Sequence, residues 1–330
     1  MWMHPTVKGL TFTEAAKGAG SANRDMKVSE FIAEMARLCP DLVDLTLWVP
    51  KFAAKPIRGL RSLRTVDLGG CDITTVLFEL ANLPAVERLT IRHPPSLPSQ
   101  WPQWIIIPFP RLEMLDLSAP YSDASTFLHT LAIGESRLKE LMITGTGHLG
   151  DLEMLMRAAG EHQYLERLAI HTCDIASLSP LEHIFPCSFL TSLTLYAKGD
   201  IRMADEDLGI LGIGLPGIVH IRLRRQGSTR LTLRALSIAI MSWPYLETLS
   251  LQIDVGAAVP PEGHPAPHKH LQTLHLIDSL APEPAKVMKV AWFIVGLSDA
   301  DGFQLEFYEN RIWDLVKELL PELRSTRREA

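Results

Sequence analysis

The chain has 330 residues, of which 47% are hydrophobic and 21% charged, with a formal net charge of −6. That length allows two ordinary domains or one elongated one with a sizeable core, and the acidic balance argues against nucleic acid or an anionic membrane as partner. The longest apolar stretches, "WIIIPFP" (104–110) and "VAWFIVGL" (290–297), fall far short of the roughly 20 residues of a membrane-spanning helix.

Taken from the start, "MWMHPTVKGLTF" has no basic segment leading into an apolar run, so no signal peptide is expected. The four cysteines, Cys39, Cys71, Cys173 and Cys187, lack C-x-x-C spacing, and no asparagine sits in an N-x-[ST] sequon. Free thiols in a reducing compartment, cytoplasmic or nuclear, follow. "VKGLTF" from Val7 reads as a strand, residues 14–30 as an insertion with a flexible small-residue part, and "KVSEFIAEMARL" (27–38) as a helix. Residues 1–41 form this N-terminal segment.

From Leu42 one phrase recurs. L-x-x-L-x-L, with Ile, Val or Phe allowed for Leu, begins at Leu42, Leu63, Val86, Leu112, Leu138, Leu165, Leu190, Ile218, Leu246 and Leu271. The steps are 21, 23, 26, 26, 27, 25, 28, 28 and 25 residues, the period of leucine-rich repeats. In x-L-x-L the leucines face one way and their neighbours the other, and one such strand cannot bury its leucines alone. Between strands, 72–83, 123–133, 151–160 and 231–243 carry helical faces, with Asp72 as an N-cap. Helices are wider than strands, so the expected fold is an α/β leucine-rich-repeat solenoid. It is a right-handed horseshoe of about eleven repeats spanning 42–280, with a concave parallel sheet and helices and loops on the convex side. Cys71 and Cys173 take the N/C position of the longer consensus, where a structural role is expected.

Two segments depart from the pattern. Residues 93–110 hold six prolines with Trp101 and Trp104, and residues 255–270 hold four prolines with His264, His268 and His270. That proline density favours loops over helices. The first reads as cover for the core; the histidines lack the fourth ligand and rigid frame that zinc asks for, so no metal is expected. Residues 281–330 bring a short strand, "FQLEFY" (303–308), and helices at 284–297 and 309–323 that cap the stack, ending in a frayed "RSTRREA".

No phosphate-binding loop, dinucleotide fingerprint, H-E-x-x-H or nucleophile elbow occurs, so neither an enzymatic reaction nor a cofactor is expected. Within each repeat, positions 3, 5 and 7 point away from the core. The residues there that suit a protein interface are Trp48, Arg88, Arg92, Arg167, His171, Tyr196, His220, Arg222, Arg224 and His275. This surface is mixed in charge, unlike a nucleic-acid groove. Its densest cluster is "HIRLRR", where Arg222 should neighbour Thr194 and Arg224 should neighbour Tyr196. The expected partner is a protein on the concave face, acidic where it meets these arginines.

The phrases "CPDLVDLTL", "LPAVERLTI", "FPRLEMLDL" and "WPYLETLSL", with "LGGCDITTVLFELANLPAVERLTI", resemble the cysteine-containing repeats of F-box/leucine-rich-repeat proteins, especially the fungal ones, over residues 38–280. The resemblance implies substrate recognition for a cullin-based ubiquitin ligase, with an F-box docking on the ligase adaptor. No L-P-x-E box precedes the repeats here, so adaptor binding is expected only of a longer form carrying one. A stand-alone inhibitor or tether of a partner protein is the alternative, and a repeat-type GTPase activator a third.

Overall fold

Each repeated phrase becomes a strand that starts at its third residue. The computed structural model describes residues 7–13, 22–49, 55–70, 73–92, 109–133, 136–173, 178–197, 203–225, 231–255, 266–276, 279–280, 282–300, 302–307 and 311–329. The insertion at 14–21, Asp72, Cys71, the proline-rich run 93–108, and 256–265 with His264 lie outside the described residues, as do the side chains of Cys173 and Arg225.

The chain divides into two compact units, Met1–Leu165 and Glu166–Ala330. In the first, the strands are β1 (Gly9–Thr13), β2 (Asp44–Trp48), β3 (Thr65–Gly69), β4 (Arg88–Arg92), β5 (Met114–Ser118) and β6 (Glu140–Thr144). Its helices are α1 (Ala22–Leu38), α2 (Ile73–Ala81), α3 (Tyr121–Ile133) and α4 (Leu149–Gly160), and a 3-10 turn (Lys55–Gly59) joins β2 to β3. In the second, the strands are β7 (Arg167–Cys173), β8 (Ser192–Ala197), β9 (His220–Arg225), β10 (Thr248–Leu251), β11 (Thr273–His275) and β12 (Gln304–Glu306). Its helices are α5 (Ser179–Glu182), α6 (Asp205–Gly214), α7 (Leu233–Ser242), α8 (Val287–Gly296) and α9 (Arg311–Glu329). Within each unit sheet order follows chain order, β1 to β6 in the first and β7 to β12 in the second, and the strands pair in parallel. This is the α/β repeat solenoid class that the sequence implies, with "VKGLTF" and "FQLEFY" each supplying a full strand.

The alternation of the phrase sets which side chains are buried. In the first unit Leu45, Val66, Leu89, Leu115 and Leu141 stand in one lateral row, and Leu47, Leu68, Ile91, Leu117 and Ile143 in the next. In the second, Leu168, Leu193, Ile221, Leu249, Leu274 and Leu305 form the matching row. All are buried, and each such burial contributes about 1.5–3 kcal/mol. Helix faces close the same core: Val76, Leu77 and Leu80 of α2, Leu152, Leu155 and Met156 of α4, and Leu233, Leu236 and Ile240 of α7.

Two further devices recur. In most repeats the carbonyl of the phrase's second residue accepts two N–H groups from the next repeat. Val43 O takes Arg64 N and Thr65 N at 2.8 and 3.0 Å, and Thr191 O takes Val219 N and His220 N at 2.8 and 2.9 Å. These forks fix the register where the strands begin. Three residues ahead of nine of the ten phrases sits a buried plug: Cys39, Leu60, Leu83, Phe109, His162, Cys187, Leu215, Trp243 and His268. Most of these plugs close a turn onto the first residue of the phrase, as Cys39 O does with Leu42 N at 3.1 Å. Cys39 and Cys187, both buried in this slot, are therefore packing residues.

The tail differs from expectation. Rather than fraying after 323, α9 continues to Glu329. Ser325 and Thr326 donate their hydroxyls to Glu322 O at 2.7 and 3.0 Å, and Arg327 donates to Val295 O at 2.8 Å while facing Asp299. Side-chain anchoring to α8 offsets the weak helix propensity of "RSTRR".

Candidate protein-interaction face

The residues between the buried leucines make up the open face of each unit's sheet. In the first unit Trp48, 41% exposed, lies across Gly69, where an added Cβ would come within 3.0 Å of the indole. The indole donates Nε1–H to Asp67 Oδ1 at 3.4 Å. From the other side Arg92 places its guanidinium 5.9 Å from the ring centroid and 3.8 Å from the same Asp67 oxygen. Two strands of separation are bridged because glycine leaves a flat seat between them. Arg88 stands apart, at the strand's entrance between Thr65 and Met114, and is exposed.

In the second unit three lateral rows matter. The entrance row aligns Arg167, Ser192, His220, Thr248, Thr273 and Gln304. The middle row aligns Ala169, Thr194, Arg222, Ser250, His275 and Glu306. There His275 Nδ1 meets Glu306 Oε2 at 2.8 Å. The exit row aligns His171, Tyr196 and Arg224. The imidazole and phenol centroids are 4.6 Å apart, and the Arg224 guanidinium sits 5.6 Å from the phenol centroid. Arg222 neighbours Thr194 and Arg224 neighbours Tyr196, as the strand spacing implies. Rows two residues apart lie about 6.6 Å from one another, so Arg222, Arg224 and His220 share one face of β9.

Sequence reading passed over Asp67, Gly69 and Glu306. The available signal for the first two was a glycine at an outward position one strand from a tryptophan. Glu306 needed the register of β12, which a three-residue strand does not advertise.

Of the histidine trio, His268 is a plug. Its Nε2–H donates to Trp243 O at 2.9 Å, and its Nδ1 accepts from Leu271 N at 3.0 Å and His270 N at 3.2 Å. Both ring nitrogens are committed to backbone, so this ring is built into the fold.

Repeat, register and open ladder define a leucine-rich-repeat solenoid fold. No family model matches the chain, and no curated protein matches it. Among solved structures it is similar to a chain in the crystal structure of the Rad7 and Elc1 complex in yeast. The TM-score is 0.48 at 14% sequence identity, covering 93% of this chain and 81% of that one. Among the described residues no helix is long and apolar enough to cross a membrane.

Proposed function

We propose that the chain is a non-enzymatic scaffold whose open face, in residues 166–330, binds an acidic segment of a protein partner. The row His171–Tyr196–Arg224 carries this reading. A guanidinium braced on a ring loses less entropy when its N–H fork meets a carboxylate, and aromatic and arginine side chains dominate interface energetics. Exposed Arg222 extends the cationic surface on the same strand, and exposed His220 adjoins it. Trp48 and Arg92 offer a second anchor of the same kind within residues 1–165.

The test is recovery of partners by the wild-type chain and by Arg224→Glu from the source cell, quantified by mass spectrometry. Loss of a defined partner set with Arg224→Glu supports the reading; unchanged recovery of every partner overturns it. The resemblance to F-box repeat proteins makes that partner a ubiquitination substrate, and a longer form carrying an F-box should then also recover the ligase adaptor. A stand-alone inhibitor or tether would recover the partner without it.

A further inference from the structure

In the second unit the sheet runs to β12, and among the described residues no strand lies beside its outer edge. In a parallel ladder alternate residues bond to alternate sides. Gln304 N donates to Gln272 O at 2.7 Å and Glu306 O accepts from Leu276 N at 2.8 Å, so these two residues face β11. Leu305, between them, turns its N–H and C=O outward. Proteins normally cover such an edge. Here α9 packs on α8 and leaves a groove of about 760 Å³ between itself and the strand, whose lining includes Leu305, Glu306, Lys317, Leu320, Pro321 and Arg324, with the Glu306 carboxylate 2.8 Å from His275.

The groove has a chemical pattern. Its apolar lining is Leu305 and Leu320, both largely buried. At one end the Lys317 ammonium sits 5.8 Å from the Phe307 centroid, and at the other the Arg324 guanidinium sits 5.0 Å from the Phe303 centroid. The rings beneath the two cations are four strand residues apart, about 13 Å. Pro321 has no N–H for the carbonyl of Lys317, four residues earlier in α9, so the helical wall also lacks one of its own backbone bonds.

We infer that this groove receives an extended peptide of a partner protein as a thirteenth strand, with the side-chain pattern acidic–x–apolar–x–acidic. The backbone pairs with Leu305, the apolar residue packs on Leu320, and the carboxylates meet Lys317 and Arg324. Acids at i and i+4 of a strand project from one face about 13 Å apart, which matches the spacing of the rings that seat the two cations. Adding a strand to an exposed edge draws affinity from main-chain bonds and specificity from alternate side chains. The site is independent of the open face described above.

The probe is a fluorescein-labelled synthetic peptide, Ser-Thr-Asp-Thr-Leu-Thr-Asp-Thr-Ser, titrated against the full chain by anisotropy. N-methylating one alternate set of its amides should weaken binding at least about tenfold, and the other set should change it less than about twofold. Which set matters reports whether the new strand runs parallel or antiparallel. Lys317→Glu with Arg324→Glu should abolish binding with circular dichroism unchanged, while Arg224→Glu leaves it intact. The inference is overturned by no binding, by equal effects of the two N-methyl sets, or by insensitivity to the double charge reversal. It is overturned equally if sedimentation shows a dimer that the double reversal dissolves, since the occupant is then a second copy of the chain.

Discussion

His162 occupies a slot that holds phenylalanine at 109 and tryptophan at 243. It is 1% exposed and donates Nε2–H to Leu128 O at 3.2 Å. Burial, only partly offset by that carbonyl and by Glu161, pushes its pKa down to about 4 from 6.5. Between those values the unfolded chain carries a proton that the folded chain refuses. Stability is therefore full above pH 6.5 and falls as pH drops toward 4, by up to about 3 kcal/mol. Urea titrations at pH 7, 5.5 and 4.5 should show this slope, and His162→Phe should flatten it. Burial likewise lowers the pKa of His268 and raises the Cys187 thiol to about 11. Cys187 should accordingly resist a maleimide until the chain is denatured.

Elements are joined by polar links that periodicity does not reveal. Asp205, at the start of α6, accepts Thr232 N at 2.8 Å and Thr232 Oγ1 at 2.6 Å, while that hydroxyl accepts Arg234 N at 3.2 Å to cap α7. One carboxylate thus sets the spacing between two helices. Its loss would strand buried donors, so Asp205→Ala should cost about 1–3 kcal/mol in denaturant unfolding, with Asp205→Asn recovering part of it. Close packing of the same helices needs Gly212, where an added Cβ would stand 2.3 Å from Ser242 Cβ. The sequence showed α7 by its apolar face. It did not show α6, which is apolar nearly all round and leaves Ile213 84% exposed.

Across the whole molecule one pattern separates folding from binding. Alternate residues of a strand belong to the core and to the open face, so substitutions along β9 should sort by parity. Ile221→Ala removes a fully buried side chain and should cost about 2–5 kcal/mol. Arg222→Ala, on an exposed side chain, should stay within about 0.5 kcal/mol of wild type. Thermal and urea denaturation of the two variants checks this directly. The open-face residues were readable as a set because parity follows from the repeat alone. Their grouping into Trp48–Asp67–Arg92 and His171–Tyr196–Arg224 was not, since it depends on which strands carry glycine or an aromatic at the same register.

The sequence by itself determined the strands, their parallel order and which face each side chain takes. Those follow from a period of two within a phrase and about 25 residues between phrases, both local properties of the chain. Tertiary structure alone decided the rest: the histidines and cysteines that plug the turns, the carboxylate joining α6 to α7, and the groove left open beside β12. These depend on atoms brought together from different repeats. A repeat dictates that neighbours will stack, and the individual side chains dictate how each gap between them is filled.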